Sequence, residues 1–555
     1  MIQIHCLNTQ TTKEFQEGVT LLEILPEFRF EQPFPIVSAK VNNVSQGLKF
    51  RVYNSRDVEF LDLRHSCAMR VYCRSLCFLL YKAAIDLFPG SRLYMEHPIS
   101  NGFFCHIKKA DRQMLNDDEI EALRQRMRAI VNDDLAFHRH EARIDEAIAM
   151  FDALHQDDKV KLMETSGQVY TDYYTLGDTT DYYYSRLVPS AGYLQVWGVE
   201  SYRGGLLLRI PDHDNPRQLA PFVDQPRTFE VFEETLKWNQ IMGLSTVGDV
   251  NHACQNGEAR ELVQVAEALQ EKKIVQIAEE IDRRYREQQL RLVLITGPSS
   301  SGKTTFSKRI SIQLKACGLK PISFSTDDYF VNRVDTPKLP DGSYDFDNFE
   351  TVDHDALERD LMDLLAGKEV EVPEYNFVTG MREYNGKKLQ LKPGTVLLIE
   401  GIHALNPRLT SKINDSNKFR IFISTLTCTA LDDHNWIPTN DNRLLRRIVR
   451  DYNKGAFTAR QSISQWPMVC EAEEKWISPY QECADVIFNS AYLLEFAVMR
   501  NHAEPILASV PKNSPEYTEA HRLQRFLRYF TPVSDKEIPT TSMIRQFIGG
   551  SSFKD

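Results

Sequence analysis

The spacing of apolar residues changes character along the chain and divides it. In residues 1–62 apolar and polar positions alternate at 1–7, 11–15, 37–41 and 50–52, with a short helix at 19–24. That period predicts a small β-rich module. Residues 258–289 carry Leu262, Val265, Ala266, Leu269, Ile274, Ile277, Ala278 and Ile281 at helical spacing, with Glu, Lys, Gln and Arg opposite. This is an amphipathic helix that docks against a neighbour or pairs in a dimer. From 290 to 497, apolar runs at 292–295, 322–324, 396–399, 419–423 and 486–488 alternate with amphipathic stretches. The alternation predicts an α/β domain: a parallel sheet, helices on both faces, and a ligand at the carboxyl ends of the strands. Beyond it, Pro505, Pro511 and Pro515 precede an apolar helix-like run at 523–530. Its aromatic content predicts an extension, 498–555, that packs back on the α/β domain. The expected units are therefore 1–62, 63–250, a linker helix at 251–289, 290–497 and 498–555.

Composition adds limits. A length of 555 residues, 42% hydrophobic and 26% charged, is that of a globular protein with several cores. Lys and Arg number 66 against 77 Asp and Glu, a net charge of −11, which disfavours bulk nucleic-acid or anionic-membrane binding. The ten cysteines include no CxxC pair, so neither a paired-cysteine zinc site nor a disulfide framework is indicated. The N-terminus lacks a signal-like charged and apolar pair of regions, and no uncharged apolar run reaches about 18 residues. The expectation is a cytoplasmic protein that makes no membrane contact.

The most specific chemistry is Gly297-Pro298-Ser299-Ser300-Ser301-Gly302-Lys303-Thr304, a GxxxxGK[ST] pattern between a predicted strand and helix. Such a loop turns backbone N–H groups onto phosphates, helped by the helix N-terminus. Residues 297–305, with Gly297, Ser299, Ser300, Ser301, Gly302, Lys303, Thr304 and Thr305 as contacts, are expected to hold ATP. Lys303 reaches the outer phosphates and Thr304 ligates Mg²⁺. The second predicted strand ends in Thr326-Asp327-Asp328-Tyr329 and a later one in Glu400-Gly401. A carboxylate there can aim an acceptor hydroxyl and take its proton. Thr304, Asp327 and Glu400 are the expected metal shell. Arg443, Arg447 and Arg450 share a helix face, with Arg446 at its edge, and suit the spread charge of a phosphoryl group.

These motifs, with Phe346-Asp347, Val372-Pro373-Glu374-Tyr375-Asn376-Phe377 and Arg446-Arg447-Ile448-Val449-Arg450-Asp451, resemble the uridine kinase and phosphoribulokinase group of P-loop kinases. The resemblance implies an ATP- and Mg²⁺-dependent kinase acting on a ribose hydroxyl of a nucleoside such as uridine or cytidine. It implies Lys303, Asp327 and Arg447 as catalytic groups, Asp327 as the base. Asp347, Tyr375, Phe377, Arg382, Arg447 and Gln465 would hold the acceptor. The sequence departs from that pattern in three places. Gly380 stands where uridine kinases read the base with histidine, Phe457 falls near the lid arginine, and 432–442 is extra. A sugar-phosphate kinase of the phosphoribulokinase type therefore remains open.

The front half resembles a threonyl-tRNA synthetase. Residues 1–62 are similar to its TGS module, a β-grasp fold, and 63–250 to its second N-terminal domain, an α+β unit. The latter rests on Arg64-His65-Ser66-Cys67-Ala68 and Ile99-Ser100-Asn101-Gly102-Phe103-Phe104. Met69 replaces the partner histidine, and Asp181 to Pro189 supplies neither the Cys nor the His of that family's editing site. One imidazole cannot hold a metal, so His65 is expected to be structural. His138-Arg139-His140 is expected in a solvated turn, and the tyrosines of 170–184 in packing. An RNA-linked regulator that binds tRNA is an alternative, disfavoured by the acidic charge. A GTPase is discounted because no NKxD follows Asn453-Lys454 or Asn417-Lys418. A homo-oligomer is possible.

Overall fold

Five short strands carry the α/β domain. In the computed structural model, which describes residues 1–30, 33–110, 113–339 and 342–553, they are β1 (Leu292–Thr296), β2 (Lys320–Ser325), β3 (Thr395–Glu400), β4 (Lys418–Ser424) and β5 (Val486–Asn489). Their order is β2-β3-β1-β4-β5, and every neighbouring pair is parallel. Parallel neighbours need crossovers, which helices supply. These include α2 (Lys303–Ala316), α3 (His354–Leu365), α4 (Thr439–Asn453) and α5 (Ala459–Trp476), preceded by α1 (Ala259–Gln288).

Alternation along the strands assigns each side chain a face. Leu292, Leu294, Leu397 and Ile399 face Leu357, Leu361 and Leu364 of α3. Val293, Ile295, Val396 and Leu398 face Phe306, Ile310 and Leu314 of α2 and Ile274, Ile277, Ala278 and Ile281 of α1. Docking within the chain, one of the two fates predicted for α1, is observed. Each of its buried isoleucines is worth about 1.5–3 kcal/mol relative to exposure.

The first unit is a five-stranded sheet in the order Thr11–Phe15, Ile2–Cys6, Arg56–Asp62, Ile36–Val41, Val44–Gly47. Ile2–Cys6 and Arg56–Asp62 run parallel. In the second unit the helix Ser66–Leu87 is buried over most of its length against antiparallel strands. His65 caps that helix: its Nδ1 accepts from the Cys67 N–H at 3.1 Å, and burial pushes the imidazole down to about 4, so it is neutral. Its expected structural role holds. His138-Arg139-His140 is not a turn. It lies in the strand Phe137–Arg143, in antiparallel register with Tyr170–Leu176, and His140 stacks on Tyr173 at 4.9 Å. The register with the tyrosine strand outweighs the polarity of the tripeptide. Tyr174, Tyr182 and Tyr183 are buried, in keeping with packing. No helix among the described residues is long and apolar enough to cross a membrane.

The extra segment before α4 is a plug. His434 Nδ1 lies 2.8 Å from Asp181 Oδ2, Asn435 Nδ2 donates to the Tyr182 carbonyl at 2.9 Å, and Trp436 packs on Phe103. Lys159, 1% exposed, stands 3.3 Å from Asp158, 3.3 Å from Asp181 and 3.9 Å from Asp432. Burial pushes Asp181 up, but His434 and Lys159 together outweigh it and hold its carboxyl at about 2. For Asp432 burial wins and pushes the carboxyl up to about 6. The tail adds a second tie. In the helix Tyr517–Leu527, Glu519 pairs with Arg70 of the second unit at 2.9 Å, and Arg522 pairs with Asp441 of α4 at 2.6 Å. Packing of the extension on the α/β domain was expected; its grip on the front half was not.

Lys159→Met leaves Asp181 and Asp432 buried without their cation. The expected cost is about 3–5 kcal/mol, read as a clear fall in melting temperature by calorimetry. An unchanged melting temperature would show that this network does not hold the halves together.

Candidate active site

Register brings the chemistry to one edge. Ile295 of β1 and Ser325 of β2 both lie level with Glu400 of β3. The P-loop begins two residues past Ile295, Asp327 lies two past Ser325, and Glu400 ends its strand between them. The loop is shaped by close approach. A Cβ on Gly297 would lie 2.2 Å from the Ile423 carbonyl oxygen, and one on Gly302 2.8 Å from Met543. Ser300 adopts a left-handed φ of 61°, which folds successive amides into a concave anion nest.

Thr304 Oγ1 donates to Glu400 Oε1 at 2.7 Å. Lys303 folds back, Nζ donating to the Gly297 and Pro298 carbonyls at 2.8 and 3.1 Å. Lys303, Asp327 and Glu400 are half-buried and close enough to feel one another's charge. Desolvation lowers the Lys303 pKa while Glu400 and Asp327 oppose it. Burial pushes Asp327 up to about 6, Lys303 opposing and Glu400 adding. Burial also raises Glu400, against Thr304 and Lys303. Two desolvated carboxylates beside a hydroxyl fit Mg²⁺, a hard cation that takes few protein oxygens and the rest from phosphates and water. Among the described residues no group of three or more His, Cys, Asp and Glu forms a self-sufficient metal cage.

The arginines divide by burial. Arg446, 0% exposed, pairs with Glu495 and donates to the Ser300 and Ser301 carbonyls at 3.3 and 3.4 Å. Arg443 pairs with Glu473 at 2.5 Å and donates to the Ser299 carbonyl at 3.3 Å. Neither side chain is directed to a phosphate; both hold the loop from behind. Arg447 faces the site: Nη1 donates to Ser299 Oγ at 3.2 Å and Nη2 to Gln465 Oε1 at 3.4 Å. Asp347 is raised by burial and lowered by Arg447, with Lys303 also in range. Glu473 accepts from the Ser299 N–H at 2.9 Å, so one loop amide is engaged by a carboxylate. Thr305 Oγ1 donates to Gln546 of the tail at 2.9 Å.

On the acceptor side Tyr375 is buried, Phe377 exposed, and the two rings meet edge-on at 5.1 Å. Phe330, which joins them at 5.5 and 6.4 Å, received no role from the sequence, although it directly follows the acidic motif. Arg382 is engaged by Asp353 at 2.8 Å. Gly380 has a φ of +72°, and a Cβ there would lie 2.8 Å from Arg333, whose Nη2 donates to the Phe377 carbonyl at 2.5 Å. Arg333 thus stands beside the position of the missing histidine. His403, buried against the backbone of Asp347 and Asn348 and pushed down to about 4 by burial, was also missed. Its signal was a histidine three residues after the strand-end glutamate.

A P-loop at the carboxyl edge of a five-stranded parallel sheet, facing a half-buried Asp, Glu and Lys, defines an α/β P-loop phosphotransferase. The family described as phosphoribulokinase / uridine kinase matches residues 292–493. A uridine kinase of Mycoplasma genitalium is 31% identical over 35% of this chain and 83% of its own. One of Mycoplasma pneumoniae is 30% identical over 39% of this chain and 96% of its own. A solved structure described as a possible uridine kinase from Bacillus stearothermophilus is 20% identical over 36% of this chain and 89% of that one, with a TM-score of 0.25. Through residues 292–493 the chain belongs to the phosphoribulokinase / uridine kinase family. It is an ATP-dependent kinase.

The split between neighbouring arginines is testable. Arg446→Ala leaves Glu495 buried and unpaired and is expected to lower the melting temperature sharply. Arg447→Ala is expected to leave it nearly unchanged and to cut turnover on the order of a hundredfold. Equal effects of the two on melting temperature would refute the division.

Proposed function

We propose that this kinase transfers the γ-phosphate of ATP to a ribose hydroxyl of a nucleoside, the 5′-hydroxyl of uridine or cytidine being the first candidate. The observation that carries it is the shared recess of Lys303, Asp327 and Glu400, with Asp347 and Arg447 facing it. Asp347 accepts hydrogen bonds from ribose hydroxyls, and Phe330, Tyr375 and Phe377 offer ring faces and edges to a base. Asp327, ionised, accepts the acceptor's O–H. It takes the proton as the new O–P bond forms and the bond to the β-phosphate oxygen breaks. Lys303 swings from the Gly297 carbonyl to the phosphates, and Arg447 donates to the oxygens whose charge grows. Thr304, Glu400 and Asp327 would hold Mg²⁺, which would supply charge neutralisation to the triphosphate.

The front half is read as a TGS-like β-grasp module followed by a synthetase-like domain without its metal. The parallel pairing of the first and last strands of residues 1–62 supports the first part, and Met69 and the capping role of His65 support the second. Arg333 beside Gly380 favours one further reading: an acceptor with an anionic group, such as a sugar phosphate.

Incubation with Mg-ATP and a nucleoside panel, read by mass spectrometry, is expected to give a monophosphate, abolished by Lys303→Ala and by Asp327→Asn. Transfer to none of the nucleosides would sink the proposal; transfer to a sugar phosphate alone would establish the second reading. A pH profile gives an independent check. The base must be ionised, and burial pushes the Asp327 carboxyl up to about 6 where no Mg²⁺ lies beside it, so kcat/KM should fall tenfold per unit at acid pH, from a pH that drops as Mg²⁺ is raised. A limb that does not move with Mg²⁺ would remove Asp327 from the metal shell, and a profile with no acid limb would remove it as the base.

A further inference from the structure

Past the strand-end Glu400 the chain makes a tight turn that is fixed from two sides. Thr296 Oγ1, at the end of β1, donates to the Gly401 and Ile402 carbonyls, both at 2.7 Å. The Asn406 N–H donates to the His403 carbonyl at 2.9 Å. His403 is therefore carried by backbone tied to the sheet edge where the chemistry lies. Its imidazole, 1% exposed, meets the Phe349 ring edge-on at 5.5 Å, and Phe349 stacks on His354 at 5.2 Å. The ring thus backs the turn 345–351, which presents Asp347. That turn is closed on itself. Asn348 Nδ2 donates to Asp345 Oδ2 at 3.1 Å and Thr351 Oγ1 to the Asp345 carbonyl at 3.0 Å, so it shifts as one piece.

Both ring nitrogens of His403 are buried without a hydrogen-bond partner. Native proteins seldom leave such atoms unpaired. They are closed to solvent, so a partner must come from the protein. What lies beside them is the backbone of Asp347 and Asn348, whose carbonyls oppose the downward push of burial on the imidazole. A neutral ring has one N–H and carbonyls only accept, so the nitrogen facing them carries the proton. Donor and acceptors are adjacent but not bonded. Hydrogen bonds of an active site are often long in the free enzyme and tighten when substrate binds.

We propose that His403 is a positioning residue of the acceptor site: when the acceptor engages Asp347, the turn 345–351 settles on the imidazole, and the ring N–H bonds the backbone carbonyls that carry Asp347. This rests on Asp347 holding the acceptor. His403 itself touches neither acceptor nor nucleotide, and acts through the peptide it supports.

Two substitutions separate the donor from its bulk. His403→Gln keeps an N–H in a side chain of similar size, and His403→Leu keeps the volume without it. The measurement is steady-state kinetics on the full chain with uridine and Mg-ATP. His403→Leu should raise the KM for uridine about tenfold and leave the KM for ATP within twofold. His403→Gln should bring the uridine KM back to within threefold of the parent. Equal effects of the two variants, or a parallel rise in both KM values, would reduce His403 to packing and overturn the proposal. Asp347→Asn tells the two readings apart. An unchanged uridine KM in that variant would remove Asp347 from the acceptor site, and the proposed function with it. A raised KM there, beside an unmoved one in His403→Leu, would overturn the role of His403 alone.

Discussion

A phosphate cradle works only if the amides of its loop face inward, and that requires its carbonyls to be held from outside. Here Arg446 supplies the grip. Fully desolvated and neutralised by Glu495, it spends its remaining donors on Ser300, Ser301 and Ser490, while Ser490 Oγ also donates to Ser301. Arg443 does the same at Ser299. A buried guanidinium without its carboxylate would cost several kcal/mol, so the position of Glu495 at the start of the helix Glu495–Ala508 is as much part of the cradle as the glycines. The other groups at this edge inherit their places from that fixed loop: Lys303 begins the helix it feeds, and Arg447 reaches Ser299 from the same face of α4.

What was legible in the sequence follows from this logic. The apolar runs at 292–295, 396–399 and 419–423 became strands because residues buried on both faces leave no polar alternation to misread. The strand-end residues Asp327 and Glu400 could be placed because a parallel sheet puts the ends of neighbouring strands side by side. The roles of the arginines could not be read. Helical spacing puts Arg443, Arg446, Arg447 and Arg450 within one turn or two of each other, and only the partner carboxylates, Glu473 and Glu495, tell a structural arginine from one facing the site. Those partners lie 30 and 49 residues away in the chain.

The plug at 432–436 failed to show for a different reason. Asp432-Asp433-His434 looks like a solvated turn, since three charged or polar residues in sequence are usually exposed. Its burial depends on Lys159 and Asp181, more than 250 residues away, and on Tyr81, whose ring meets His434 at 4.3 Å. Polar interfaces of this kind carry no periodic signature, so they appear only once both partners are placed. The apolar layer shared by Phe151, Leu162, Leu444, Phe496 and Phe526 then makes the front half, α4 and the tail one packed body.

The tail's contact with the cradle carries a consequence for synthesis. Met543 fills the space over Gly302, Gln546 takes the Thr305 hydroxyl, and the Phe547 ring lies 4.8 Å from the Arg446 guanidinium. These residues are translated some 240 positions after the glycine they cover. A nascent chain therefore lacks this outer backing of the loop until residues 543–547 have left the ribosome.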